Sequence, residues 1–421
     1  MGICEKPLFI AVVVYSKSFE KQAITNMRVL ELPSWYIPEG GWFVRDQAWA
    51  LQEQGVDVHI LANVLLPITK FRWRYFDFLR YPTRPYFTEE QGITILRHWH
   101  RPIPKARIYN IKKWAEQTVQ LFDLYISRYS KPDIIHVHSG TWGAYAAALI
   151  KAKHAVPYIV TEHRGMFGCR SKLARDFFRK DFEPFFIKGF SDADMLVPVS
   201  EQLIPKMQSY LEKEVPVKVV SNIVDTDFFV ANSQVIKPHS PFRFVSCNGF
   251  YEVKGYDILL PAFDEVVAHH PDVSLRLVGE NFDKSAFQRL LKNCKNKDKI
   301  SFTGKLQADG VLRELQNADA FVMSSRVEAE PVSILEALSV GLPIAGTEVI
   351  PRYELPDSLG VRVPIEQPEL LAKAMTYLIE NYANYSPEKA HEHTVKIAHK
   401  TVIAKQLIEI YKEVLSRTKT D

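Results

Sequence analysis

The sequence predicts an α/β protein made of two doubly wound domains, each a mostly parallel sheet with helices on both faces. Three observations carry this prediction. Short, nearly continuous apolar runs alternate with stretches of helical periodicity along most of the chain, as expected of strands buried on both faces by crossover helices. The alternation fades between residues 222 and 241, where Asp, Asn, Ser and Pro accumulate, and then restarts. The 421 residues also exceed what one ordinary core organises, so two units of about 200 residues each are expected.

Taken in order, the first half offers an apolar run at 8–15, a helical pattern at 42–54 and a second run at 58–62, which together form a βαβ unit. Strand-like runs at 134–138, 158–161 and 195–199, with a helix at 143–153 after the first of them, continue the pattern. The second half repeats it with strands at 242–248, 274–278, 300–303, 320–324 and 344–346 and helices at 256–269, 285–292, 331–340 and 368–381. Near the end Val402, Ile403, Leu407, Ile410, Tyr411, Val414 and Leu415 recur at helical spacing. The resulting division is a first domain at 1–225 with a basic, aromatic insertion at 70–113, a linker at 226–241, a second domain at 242–395 and a final helix at 396–421. The architecture repeats, but no internal sequence repeat accompanies it.

Composition narrows the class. An apolar share of 47% and a charged share of 24% fit a soluble globular chain, and a net charge of +4 does not by itself suggest nucleic acid. Cys4, Cys169, Cys247 and Cys294 have no spacing suited to zinc or a redox pair, so free thiols in a reducing cytosol are expected. The start does not read as a basic n-region followed by an apolar h-region and a cleavage site, and no run of 18 apolar residues appears, so neither secretion nor a membrane crossing is expected. Met1-Gly2 lacks the Ser or Thr that myristoylation needs, since position 6 is Lys.

The chemistry concentrates in the stretch from Arg326 to Thr347, RVEAEPVSILEALSVGLPIAGT. Pro331 suits the first turn of a helix and Gly341 the position just past its end. Glu328 then stands before the first turn, and Glu336 lies about 7.5 Å along the axis from Pro331 at about 1.5 Å per residue. The helix tip at Pro331, Val332 and Ser333 carries unpaired N–H groups and the positive end of the dipole, which favour a diphosphate. Ionised carboxylates offer only acceptors, so the two glutamates suit paired sugar hydroxyls.

This stretch closely resembles the E-x7-E region of glycosyltransferase family 4, retaining nucleotide-sugar transferases of the GT-B fold. The resemblance implies that Glu336 holds the ribose and Glu328 faces the donor hexose. It also implies that Lys254, in NGFYEVKGYD, neutralises the diphosphate. The family usually has Arg directly after the strand-ending glycine, whereas this chain has Phe250 after Gly249, so one positive charge is missing. Gly40-Gly41 resembles the glycine-rich loop of the first domain, where the backbone closely approaches a phosphate or sugar. Gly279 in RLVGEN, and Gly304, Lys305 and Leu306 in SFTGKL, stand where relatives line the base pocket. In TEHRG, Glu162 and His163 follow a strand at its cleft-facing end, and the resemblance makes His163 the leading catalytic-site residue. VPVSE at 197–201 and SNIVDTDFF at 221–229 are further landmarks, with Ile223 where glycine is usual. The final helix is expected to cross back onto the first domain.

Three patterns are set aside as metal sites. Asp192/Asp194 and Asp225/Asp227 each read D-x-D, but one precedes a strand and the other sits at the linker. His136 and His138 are taken to alternate onto opposite strand faces, which would prevent joint chelation. No metal and no cofactor is therefore expected; the donor is a nucleoside-diphosphate sugar, UDP the expected carrier, with charge stabilised by Lys254 and the helix.

The insertion at 70–113 holds eleven Lys or Arg against three acidic residues, with many aromatics, and 164–190 repeats the mixture. Such composition suits an anionic bilayer surface, so peripheral membrane association and a lipid-linked acceptor are expected, with no nucleic-acid motif to favour the other polyanion. The expectation is a cytoplasmic hexosyltransferase acting on a glycan or lipid-linked saccharide in surface polysaccharide synthesis. Two rivals share the motifs: a nucleotide-sugar epimerase of similar fold and a catalytically silent nucleotide-sugar-binding protein.

Overall fold

The computed structural model describes residues 27–38, 40–66, 81–140, 142–165, 180–234 and 238–418. The first sheet has seven strands in the order β3-β4-β2-β1-β5-β6-β7. Its members are β1 (Arg28–Pro33), β2 (Asp57–Leu65), β3 (Tyr86–Glu90), β4 (Ile93–His100), β5 (Ile134–His138), β6 (Tyr158–Glu162) and β7 (Met195–Pro198). Between them run α1 (Trp42–Glu53), α2 (Arg107–Arg128), α3 (Gly143–His154) and α4 (Glu183–Ser191), with the short α5 (Ile204–Gln208) after β7. All neighbours are parallel except β3, which pairs antiparallel with β4 at the edge.

Two expectations for this half need correction or fall outside view. The central strand is β1, whose Val29, Leu30 and Leu32 are fully buried, a strand not anticipated from the sequence; the run expected at 8–15 lies outside the described residues. The insertion at 70–113 contains the β3–β4 hairpin and the start of α2, while 67–80 lies outside the described residues. Of its aromatics, Trp99 and the adjoining Trp114 are buried, and Tyr81 packs edge-on to Trp99 at 4.5 Å. Tyr109 is exposed.

The second sheet has six strands in the order β10-β9-β8-β11-β12-β13, every pair parallel. They are β8 (Phe242–Cys247), β9 (Val273–Val278), β10 (Ile300–Phe302), β11 (Ala320–Met323), β12 (Ile344–Thr347) and β13 (Gly360–Val363). The helices are α6 (Tyr256–His269), α7 (Ser285–Asn293), α8 (Ala308–Gln316), α9 (Val332–Ser339), α10 (Pro368–Glu380) and α11 (Pro387–Ala398). Last comes α12 (Lys400–Arg417), whose Ile403, Leu407, Ile410 and Tyr411 are buried in the core of the first domain beside Val29 and Val44. The chain thus returns across the domain boundary.

Both sheets reverse direction once, between β1 and β5 and between β8 and β11. At such switch points the loops leaving adjacent strands part in opposite directions and open a crevice at the carboxyl ends, where ligands of doubly wound sheets collect. The two crevices face one another. Loops after β6 and β7 of the first domain meet loops after β11 and β12 of the second: a Cβ on Gly165 would lie 2.3 Å from the carbonyl carbon of Glu328. Tyr353 donates to the carbonyl of Val199 at 3.2 Å, and Gln202 to that of Val349 at 3.0 Å.

Candidate functional site

On the second domain the switch point is built from the turn after β8 and the loop after β11. Gly255 sits at φ 66°, where a Cβ would meet the carbonyl oxygen of Ser324 at 2.1 Å. Only glycine permits so close a fit in that conformation. Ser324 Oγ donates to the carbonyl of Lys254 at 2.9 Å. Arg326 completes the clamp by gripping Asp257 at 2.7 Å, Glu366 at 2.6 Å and the carbonyl of Glu252 at 2.8 Å. These contacts deliver Lys254 Nζ to within 2.6 Å of Glu328 Oε1, with both side chains largely buried. The two residues singled out from separate motifs therefore form one ion pair at the base of α9.

The helix begins one residue later than the sequence pattern suggests, at Val332, with Pro331 as its N-cap and no side chain capping the first turn. Its leading N–H groups are thus left for water or a ligand. Glu336 lies on the open side of this helix and has no hydrogen-bond partner among the described residues. Burial pushes its carboxyl up to about 7. It lines a cleft pocket of about 530 Å³ with Val332 and Ala308 of the second domain, and Trp42, Phe43, Arg45 and Trp49 of α1 across from them. Leu306 is half-buried against the neighbouring core, Lys305 is exposed, and Gly279 donates its N–H to the carbonyl of Gly304 at 3.1 Å. Gly279, at φ 149°, stands so close to Gly249 that a Cβ would fall 2.6 Å from its nitrogen.

Phe250 shows where the missing cation's position went. Its ring packs between Tyr256 and Phe287, at 5.9 and 5.3 Å, as part of the second domain's core. The cations that line the pocket are Arg45 and Lys400 on the opposite wall, and Arg45 is held over the rings of Trp42 and Trp49 at 4.8 and 4.4 Å.

On the first domain, Gly40 and Gly41 join β1 to α1 at φ 124° and 76°. A Cβ on Gly41 would lie 2.5 Å from the carbonyl oxygen of Trp35. At the end of β6, Glu162 is fully buried and accepts from the N–H groups of Gly140, His163 and Arg164 at 2.8, 3.1 and 3.0 Å and from the Arg164 guanidinium at 3.0 Å. Burial alone would raise its pKa, but Arg164 and these N–H groups outweigh it and hold the carboxyl below its usual range. Glu162 is therefore an anchor for two loops. His163 packs against Phe43 at 3.9 Å with the rings tilted by 34°, and burial brings its pKa down to about 3. Its ring nitrogens face His138 at 3.0 Å and Asn222 at 2.8 Å.

The two histidines of β5 correct a sequence expectation. Residues two apart on a strand share a face, and the rings of His136 and His138 stack at 4.5 Å, not on opposite sides. With Glu31 they place three metal-ligating atoms within 4.8 Å of one another. Those atoms are already engaged: His136 Nε2 with Thr161 at 2.7 Å, His136 Nδ1 with Tyr411 at 2.7 Å and Gln47 at 3.0 Å, and His138 Nε2 with Glu31 at 2.6 Å. The set fits a hydrogen-bonded network. Of the D-x-D residues, Asp194 pairs with Lys151 at 2.7 Å and Asp192 with Lys188 at 2.9 Å. Asp225 caps the turn at Phe228 at 3.1 Å and lines the cleft pocket, while Asp227 approaches His399 at 3.5 Å.

Glu330, between the two motif glutamates, was not foreseen. It is buried, accepts from the Ser221 hydroxyl and from the N–H of Asn222 at 2.5 Å, and so ties the second domain to the segment beside His163. Burial raises its pKa, and the same holds for its buried neighbour Glu354.

Two family models match in tandem: residues 40–228 fit "Glycosyltransferase Family 4" and residues 230–400 fit "Glycosyl transferases group 1". The chain belongs to the family 4 glycosyltransferases. Its two α/β domains, each built on a mostly parallel sheet and meeting at their switch points, are those of the GT-B fold. Among its relatives, the N-acetyl-alpha-D-glucosaminyl L-malate synthase of Bacillus anthracis is 24% identical over 52% of this chain and 57% of its own length. The match thus spans little more than half of that relative. A Bacillus subtilis strain 168 protein with the provisional name teichuronic acid biosynthesis glycosyltransferase TuaC is 23% identical over 75% of this chain and 79% of its own. HepE of Anabaena, solved in complex with UDP, superposes with a TM-score of 0.67 at 15% identity, covering 92% of this chain and 100% of that one. At that identity the superposition speaks for the fold.

Proposed function

We propose that this glycosyltransferase moves a hexose from a nucleoside-diphosphate sugar, with UDP the expected carrier, to a hydroxyl of a glycan or lipid-linked saccharide, with retention at the anomeric carbon. The observation that carries the reading is Glu336, a half-buried carboxyl with no hydrogen-bond partner among the described residues, facing a 530 Å³ cleft on the same short helix whose tip adjoins the Lys254–Glu328 pair. A half-buried acceptor that faces the cleft can take hydrogen bonds from a ligand, and a ribose supplies two adjacent hydroxyls. In this reading the diphosphate lies against the N–H groups of Val332 and Ser333, with the base toward Lys305, Leu306 and Gly279.

Lys254 then exchanges Glu328 for a phosphate oxygen, which frees Glu328 to accept from a hexose hydroxyl. The bond from the anomeric carbon to the phosphate oxygen breaks with its electron pair on the diphosphate, where Lys254 and the helix tip stabilise the developing charge. The acceptor oxygen bonds to the anomeric carbon on the same face, and its proton leaves with a phosphate oxygen. Gly40, Gly41 and His163 close the cleft from the first domain. The use of Asp192 and Asp194 in ion pairs supports transfer without a metal. The relative named for teichuronic acid biosynthesis and the UDP bound to HepE support a polysaccharide setting and a uridine donor.

No helix among the described residues is long and apolar enough to cross a membrane. Exposed Ile103 and Tyr109 beside Lys105 and Arg107 support docking at the inner face of a membrane as a peripheral cytoplasmic enzyme. The test is incubation with UDP-hexoses and saccharide acceptors, reading product anomers by NMR. A retained configuration in an acceptor-linked product supports the proposal. Donor turnover without an acceptor would make the protein an epimerase, and binding without turnover a silent receptor. Flotation with anionic and neutral vesicles tests the membrane, and equal behaviour with both would end that part of the proposal.

A further inference from the structure

The first domain contains a file of titratable side chains that leads to His163 and whose inner members, Glu31 and His138, the transfer chemistry leaves without a task. Glu31, at the centre of the sheet on β1, is fully buried, and its Oε2 lies 2.6 Å from Nε2 of His138. Nδ1 of His138 lies 3.0 Å from Nε2 of His163, and Nδ1 of His163 lies 2.8 Å from Oδ1 of Asn222. The two rings stack at 5.3 Å, and Asn222 lines the cleft pocket. The file therefore runs from the sheet centre to the cleft wall.

Each contact in it needs one proton between two heavy atoms, and a neutral imidazole carries one N–H and one bare nitrogen. Two patterns satisfy every contact. With Glu31 ionised, His138 donates from Nε2 to Glu31, His163 donates from Nε2 to His138, and Nδ1 of His163 is left as an acceptor facing the Asn222 amide or a hydroxyl. With Glu31 protonated, its O–H donates to Nε2 of His138, Nδ1–H of His138 donates to His163, and Nδ1–H of His163 donates to the Asn222 carbonyl.

We infer that Glu31, acting through His138, sets which nitrogen of His163 carries the proton, and so whether His163 offers the cleft a hydrogen-bond donor or an acceptor. Glu31 and His138 are positioning residues in this scheme, which rests on the reading that the cleft holds a sugar donor. The interchange balances: one proton enters at Nδ1 of His163, the Nε2 proton of His163 passes to Nδ1 of His138, and the Nε2 proton of His138 passes to Glu31. Neither ring becomes an imidazolium.

The surroundings favour a proton that settles on the carboxyl. From α1 the Gln47 amide faces Glu31 at 3.4 Å, from β5 His136 approaches at 3.7 Å, and from α12 Tyr411 reaches His136. Among the described residues no Lys or Arg pairs with Glu31. The charged groups beside His163 are Glu162 and Arg164, which neutralise each other at 3.0 Å. Burial raises Glu31 well above the carboxylate range and holds His138 and His163 down near 3, so the rings stay neutral while the carboxyl titrates.

The test is long-range 1H–15N NMR of the full chain labelled at histidine, which separates protonated from bare ring nitrogens, across about pH 5 to 9. His163→Gln and His138→Gln identify the two signals. The wild type is expected to show both rings protonated at Nε2 or both at Nδ1, changing together at one midpoint. Glu31→Gln is expected to hold one pattern at every pH and to remove the corresponding inflection from the kcat/KM profile. Opposite tautomers on the two rings, an invariant pattern in the wild type, or unchanged titration in Glu31→Gln would overturn the inference. A tightly bound divalent ion that shifts the His136 and His138 signals would overturn it too. The wild-type spectra need no variant to fold, and donor turnover in the same sample separates failure here from failure of the transfer reading.

Discussion

Replacing Glu336 by Gln keeps the side chain's shape and removes its charge. The folded protein raises this carboxyl from 4.5 to about 7 because burial disfavours the charged form. The rise from 4.5 to about 7, at about 1.4 kcal/mol per pH unit, makes the ionised group destabilising by roughly 3.5 kcal/mol. The sign follows from proton binding. Below the unfolded value both states are protonated and the penalty is absent; between about 4.5 and 7 the folded state holds the extra proton; above about 7 the penalty is complete. Glu336→Gln is therefore expected to match wild type in acid and to exceed it at pH 8, raising Tm by roughly 5–10 °C for a domain of this size. The same variant loses the ribose acceptor, so the stabilisation of about 2.7 kcal/mol that UDP gives at 100 times its Kd should vanish. Calorimetric scans at about pH 4.5, 6 and 8, with and without UDP, read both effects. A Tm difference that does not vary with pH, or a variant that still responds fully to UDP, refutes the reasoning.

Other outcomes follow from the same geometry. Lys254→Ala removes the cation at the leaving group and leaves Glu328 unpaired; kcat should fall about 10²- to 10³-fold with a smaller change in donor KM, as steady-state kinetics would show. Gly255→Ala forces a Cβ to within 2.1 Å of the Ser324 carbonyl at φ 66°, so urea unfolding should register a loss of at least about 1–3 kcal/mol, and an unchanged midpoint would mean that the clamp on Lys254 is loose. Ending the chain after His399 strips Ile403, Leu407, Ile410 and Tyr411 from the first domain's core; at about 1.5–3 kcal/mol for each large side chain, that domain should be unfolded by circular dichroism or recovered only as aggregate.

Much of the second domain was legible because its signals are local. The helix from Tyr256 to His269 is bounded by Gly255 and by the His270-Pro271 break, and Pro331 with Gly341 brackets the glutamate helix. The first domain hid its central strand. RVLELP contains a glutamate at a buried position, and its hydrogen-bond partners among the described residues, Gln47 and His138, come from other elements, His138 from more than a hundred residues away. The hairpin at 86–100 was masked by its aromatic and basic composition, since the pairing of Tyr86 with Arg97 depends on strands that meet only in the folded sheet. Glu328 and Glu336 were visible through their spacing and Lys254 through the resemblance of NGFYEVKGYD to the family, but the ion pair between Lys254 and Glu328 depends on contacts of Arg326 and Ser324 that form only in the folded domain. Glu330 carries no distinguishing pattern either; its task appears only when Ser221 and Asn222 arrive from the other domain.

The most direct test of the central claim is binding of UDP, GDP, ADP and CMP to the wild-type chain and to Glu336→Ala by thermal shift and calorimetry. The account predicts that one nucleoside diphosphate, UDP, stabilises the wild type at one site per chain and leaves the variant unmoved. Absence of binding by all four, or binding that survives loss of Glu336, would contradict it.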